Sequence, residues 1–259
     1  MKSKLALVII VLGGLGGSGL ALDRIVAPAW SAARERQPAL RLNSSVAAAG
    51  QGVTLALLGG FRALVADVVW VRMHVLWERH DLPGTQSLLQ LVPAIDPRPV
   101  YFWINGARIL AHDFSMWRLE MAGGYEAAGA QAEQRINQEQ AAVALDHLAA
   151  AMEFHPASSE LWIERASIEL TRLRDVAAAA ESYRRAWEQP NAPYYAARLH
   201  AELLRRQGRN AEALAWLVKL HPGLPAGDDG AARDVVLERI RDLERELNVP
   251  AERAYRSAP

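Results

Sequence analysis

Pro156, Pro190 and Pro222 punctuate the second half of the chain at intervals of 34 and 32 residues. A proline cannot continue a helix without losing a hydrogen bond and clashing with the preceding turn, so a helix runs up to each of these points and stops. A recurring period of this size leaves room for two short helices per interval, which is the signature of stacked helical hairpins. Composition agrees: alanine supplies 47 of 259 residues, and Val, Ile and Thr are sparse beyond residue 100. Alanine favours helix, and the β-branched residues that build strands are scarce. The expected fold class is all-α.

Within each interval the spacing is more specific. A bulky or small residue six or seven positions after the proline is followed by a small one four later, in Pro97 with Trp103 and Ala107, Pro156 with Trp162 and Ala166, and Pro190 with Ala197 and Ala201. Second-helix positions follow as Ala144, Leu148, Ala151; Ala179, Tyr183, Ala186; and Gly208, Ala213, Leu217. Paired helices approach closely only where alanine or glycine lies between them. In these positions the chain resembles the tetratricopeptide repeat family, most closely over Gln207–Leu214. Ala197 stands where that pattern has tryptophan, and Trp103 to Trp162 is 59 residues, so one unit carries an insertion near 116–138.

The resemblance implies an α-solenoid over 53–222, with a degenerate first unit at 53–96 whose helices are Leu64–Arg79 and Gln86–Val92. A capping helix and tail occupy 223–259, with Val235, Val236, Ile240, Leu243 and Leu247 as its apolar stripe. It further implies a concave, partner-binding face on the first helices of the units, made of Tyr101, Arg108, His112, Glu160, Ser167, Thr171, Tyr195, Arg198, Glu202 and Arg205. The family's carboxylate-clamping subset uses a lysine and asparagines. No lysine lies between 5 and 218, so an extended peptide or partner helix suits this face better than a free C-terminus.

Leu5–Leu22 is uncharged over eighteen residues. As a helix it would span about 27 Å, close to the thickness of a bilayer core. A cleavable signal is the competing reading, with Ala27 and Ala29 as small residues at its cleavage site. The expectation is an uncleaved anchor at 1–24 followed by a linker at 25–52. Two of only three lysines, Lys2 and Lys4, precede the apolar run, which places the N-terminus in the cytoplasm and the bulk across the inner membrane, in the periplasm. A second apolar stretch, Val53–Val71, contains Arg62 and Asp67 and reads as a buried helix. Arg62 and Asp67 either pair with neighbouring helices of the solenoid, since an unpaired buried charge is costly, or form with Trp70 a face that docks a membrane partner close to the anchor.

Chemistry is sparse. Lys+Arg 29 against Asp+Glu 29 removes the basic footprint of a nucleic-acid binder, and the lack of cysteine excludes disulfides, thiolate metal sites and Cys nucleophiles. No P-loop, GxGxxG, HExxH or GxSxG is present. The seven histidines lack the i,i+3 or i,i+4 spacing of helical metal ligands and read as surface or helix-end residues. His155 and His221, just before prolines, suit helix C-termini as partly positive rings. No catalytic residue, metal, cofactor or small-molecule substrate is expected. The functional expectation is a membrane-anchored scaffold or adaptor for other envelope proteins, as in a secretion, transport or pilus-type machine. An accessory chaperone for protein export or c-type cytochrome maturation is the alternative.

Overall fold

The computed structural model describes residues 60 and 62–256, and every regular element among them is helical. The expected anchor at 1–24, the linker at 25–52 and the first residues of the degenerate unit lie outside the described residues. Among the described residues, no helix is long and apolar enough to cross a membrane. The chain divides into two compact units, one ending at Phe102 and the other beginning at Trp103.

The first unit is built on α1 (Arg62–Glu78) and α2 (Leu82–Ile95), which pack along one another. The turn between them is fixed locally. His80 takes a left-handed backbone, and the Asp81 side chain caps α2 by accepting from the Gly84 amide at 3.0 Å. Pro83 lies in the first turn of α2, where its missing N–H costs nothing. Gly84 is required by closeness: a Cβ there would lie 2.4 Å from Asp81 Oδ2 and 2.9 Å from Leu76 Cδ1. Ala66, Trp70 and Met73 form the buried face of α1, against Leu89 and Val92 of α2. Two features depart from the expected buried helix over Val53–Val71. Gly60 is in a turn, so α1 begins at Arg62, and Leu64, Val68 and Val71 are 59%, 61% and 65% exposed.

The second unit starts within α3 (Val100–Arg108), continues through a π-turn at Ile109–Asp113 into α4 (Phe114–Met121), and returns along α5 (Gly124–Phe154). The insertion expected near 116–138 is therefore no separate lobe. It lengthens both arms of one hairpin, with Gly129 kinking α5 at φ 72°. Four further helices follow: α6 (Ser159–Thr171), α7 (Val176–Trp187), α8 (Tyr194–Arg206) and α9 (Asn210–Leu220), each packed on its neighbour in sequence. The spaced small residues lie in their interfaces. Ala144, Ala151, Ala166, Ala179, Ala186, Ala197, Ala201 and Ala213 are all buried. Ser158 and Asp175 cap α6 and α7 by accepting from Leu161 and Ala178 amides.

The last helix, α10 (Arg233–Glu246), closes a core with Leu204, Leu217 and Leu220 through Val236, Ile240 and Leu243. Its stripe is narrower than expected, because Val235 and Leu247 are 59% and 37% exposed. Three contacts then clip the tail back onto the helix at Tyr255. Its hydroxyl meets His221 Nδ1 at 2.9 Å, its carbonyl accepts from Arg241 at 2.6 Å, and its amide donates to Glu244.

Candidate functional site

The ten residues expected on one face divide into three groups. Four come from α8. At i, i+3, i+7 and i+10 of a helix, Tyr195, Arg198, Glu202 and Arg205 share one side, while Ala196, Ala197, His200, Leu203 and Leu204 are buried on the other. All four line a half-open cleft of about 520 Å³, facing Val235, Val236, Arg239 and Leu243 of α10, with Leu199 and Leu217 in its floor. Apolar surface therefore lies beneath a charged rim. Arg198 Nη1 donates to the carbonyls of Gly230 and Ala231 at 2.7 and 2.9 Å, tying the loop before α10 to α8. Glu202 accepts from Arg205 at 2.9 Å and from Arg206 at 3.2 Å. The Arg205 hydrogen bonds hold its carboxyl below the usual range, overriding a smaller push upward from burial.

The second group surrounds the π-turn. Arg108 donates from Nε and Nη2 to Glu164 Oε2 at 2.8 and 2.7 Å, and the Glu164 side chain is only 6% exposed. A buried carboxylate requires such a partner, so Arg108 is committed to α6. His112 Nδ1 accepts from Arg172 Nε at 2.8 Å, and Arg172 Nη1 reaches Asn137 Oδ1 at 3.4 Å. Burial first, and the Arg172 charge second, push the His112 ring down, which keeps it neutral with its proton on Nε2. The irregular backbone is satisfied from outside. Ser115 donates to the Ala111 carbonyl at 2.8 Å, and the Gln140 amide, in its satisfied orientation, donates to Leu110 and accepts from Arg118. π-turns of this kind recur at functional sites because they re-aim side chains. On α6, Thr171 donates to the Ser167 carbonyl at 2.7 Å, and Glu160 is exposed in the first turn.

Tyr101 is the last of the ten and belongs to the first unit, 57% exposed and edge-on to Trp70 at 5.7 Å between centroids. The three expected membrane-proximal residues do not make one surface. Trp70 is 7% exposed and packs on Phe102, and Arg62 turns to Asp96 at 3.8 Å. Asp67 alone is exposed. Asp96 is the residue that sequence reasoning missed here. It is 1% exposed, and burial pushes its carboxyl up, but two 2.8 Å bonds from Arg98 and the Arg62 charge hold it below its ordinary value. The tetrapeptide Asp96-Pro97-Arg98-Pro99 carried the signal, an acid and a base two apart in a proline turn.

Three histidines also depart from the surface reading. His200 is buried, donates from Nδ1 to the Ala180 carbonyl at 2.7 Å and packs edge-on to Trp216. His221 is 1% exposed rather than a charged helix-end residue. His147 lies against Trp103 with centroids 4.9 Å apart, its Nε2 walled in by Gly106 and without a hydrogen bond. Burial pushes all three down, His147 to about 4, so each is neutral at pH 7. Among the described residues, no group of three His, Asp or Glu side chains is placed to hold a metal ion.

No known protein-family model and none of the curated proteins compared with the chain matches it.

Proposed function

We propose that this protein is a membrane-anchored scaffold whose tetratricopeptide-like helical hairpins face the periplasm and bind other envelope proteins. The reading is supported chiefly by the α8 face. Tyr195, Arg198, Glu202 and Arg205, which occupy one face of α8, line one half-open cleft together with Leu199, Leu217 and Val236. Grooves of this composition accommodate a side chain or two of an extended segment, the floor giving area and the rim orientation. Function on this reading is binding alone. A stacked helical support holds the groove side chains in place, and the anchor at 1–24 raises the local concentration of membrane partners.

The experiment is capture with the full chain from detergent-solubilised membranes, run in parallel with Tyr195→Ala and Val235→Asp variants. The scaffold reading expects a saturable protein partner lost or weakened about tenfold by the two cleft changes. Equal recovery with all three proteins, or no partner at all, overturns it.

A further inference from the structure

The described part of α1 has two apolar faces and only one of them is covered. At about 100° per residue, Ala66, Trp70 and Met73 cluster on one side of the helix, and Leu64, Val68 and Val71 cluster almost diametrically opposite. The first set is buried against α2, whereas the second is 59–65% exposed. The exposed face of α1 carries Leu64, Val68 and Val71 as an apolar strip, flanked by the exposed charges of Asp67 and Arg72. Three branched side chains in register along two turns require a cover.

We propose that the cover is the chain's own segment Val53–Leu58, folded back across Gly59–Gly60 onto Leu64, Val68 and Val71. The chain outside the described residues leads directly into α1, so the segment is tethered to the face it would occupy and competes at high effective concentration. Its composition fits: Val53, Leu55, Ala56, Leu57 and Leu58 are apolar, and no charged residue occurs from Leu42 to Phe61. Six residues cover about 9 Å as a helix, and Leu64 to Val71 spans about 10 Å, so the lengths match. Gly60 is in a turn, which ends α1 there, and two adjacent glycines permit a tight reversal. The occupied face is thus an internal docking surface that joins the membrane-proximal segment to the first hairpin.

The absence of cysteine makes the test direct. In the full chain, held in detergent or native membranes, Val53→Cys with Val68→Cys should form an intramolecular disulfide on mild oxidation, and Val53→Cys with the exposed Gln90→Cys should not. If α1 instead continued upstream as one helix, positions 53 and 68 would lie about 22 Å apart, far beyond disulfide reach. Val68→Cys alone should react with a maleimide about tenfold more slowly than Gln90→Cys, and Leu57→Asp should restore the fast rate. Equal labelling rates, a disulfide between two chains, or protection that appears only on adding phosphatidylcholine–phosphatidylglycerol vesicles each overturn the proposal, the last two in favour of a second copy and of a bilayer.

Discussion

The two ends of the described chain solve the same problem differently. At the C-terminal end, α10 buries Val236, Ile240 and Leu243 and turns Arg239, Asp242 and Arg245 outward, with ion pairs of Arg239 and Arg245 to Asp242. Tyr255 then locks the tail to the same helix. At the other end, α1 buries Ala66, Trp70 and Met73 and leaves Leu64, Val68 and Val71 exposed between Asp67 and Arg72. A helix that closes a stack is polar outside, and one that continues it is apolar twice over. By that rule α10 closes its own unit, and the apolar strip on α1 is the face the proposed Val53–Leu58 cover would occupy.

The contrast is broken most forcefully at the closing helix. Ile240→Asp buries a carboxylate without a partner in the core of Leu204, Leu217 and Leu243, and should cost 4 kcal/mol or more, about the scale of large core disruptions. Ile240→Ala should cost about 3 kcal/mol by cavity formation. Both are read by denaturant unfolding, and near-neutral values would remove α10 from the core.

Acid sharpens the picture of the second unit. His147 titrates at about 4 when folded and at its ordinary 6.5 when unfolded. Protons therefore bind the unfolded chain preferentially between these values. Its contribution is complete above pH 6.5, falls through the window down to pH 4, and changes no further below. The loss is about 3 kcal/mol. His112, His200 and His221 are depressed in the same direction and lose stability over the same side of neutrality. His147→Gln should flatten the pH dependence of the unfolding midpoint between 6.5 and 4; an unchanged slope would contradict the assignment.

A smaller effect is expected at Gly106, where an added Cβ would meet His147 Nε2 at 2.8 Å. The ring is pinned against Trp103, so it has little room to retreat. Alanine gains about 1 kcal/mol of helix propensity over glycine, yet Gly106→Ala should still destabilise by about 1 kcal/mol net. The smallest effect separates the two ends. Val235→Glu, on the cleft lip of α10, should leave stability within about 0.5 kcal/mol. The matched change Val68→Glu on α1 should cost clearly more, if the face is covered. Equal, small costs would mean that both valines face solvent.

Much of the helical order was legible because it depends on local signals. Prolines at 156, 190 and 222 and small residues at fixed spacing locate the helix pairs, and those alanines are the buried ones. What resisted was contact between distant residues. Nothing near Arg62 in sequence points to Asp96, and nothing near His112 points to Arg172, sixty positions away. The histidines misled for the same reason. Their positions in sequence say little of burial, because their rings are packed by residues of other helices, as His200 is edge-on to Trp216. The groove was legible only where one helix supplied it. The α8 residues share a face by periodicity alone, whereas Arg108 and His112 depend on a π-turn and are drawn into pairs with α6 and its C-terminal turn.

The proposed partner site is the α8–α10 cleft. The direct measurement is photocrosslinking in intact cells from a photoreactive residue at position 195, compared with one at exposed Arg174 in the turn between α6 and α7. The scaffold reading predicts a discrete adduct of constant mass from position 195, lost on Val235→Asp, and none from position 174. Adducts of the same kind from both positions, or from neither, would contradict it.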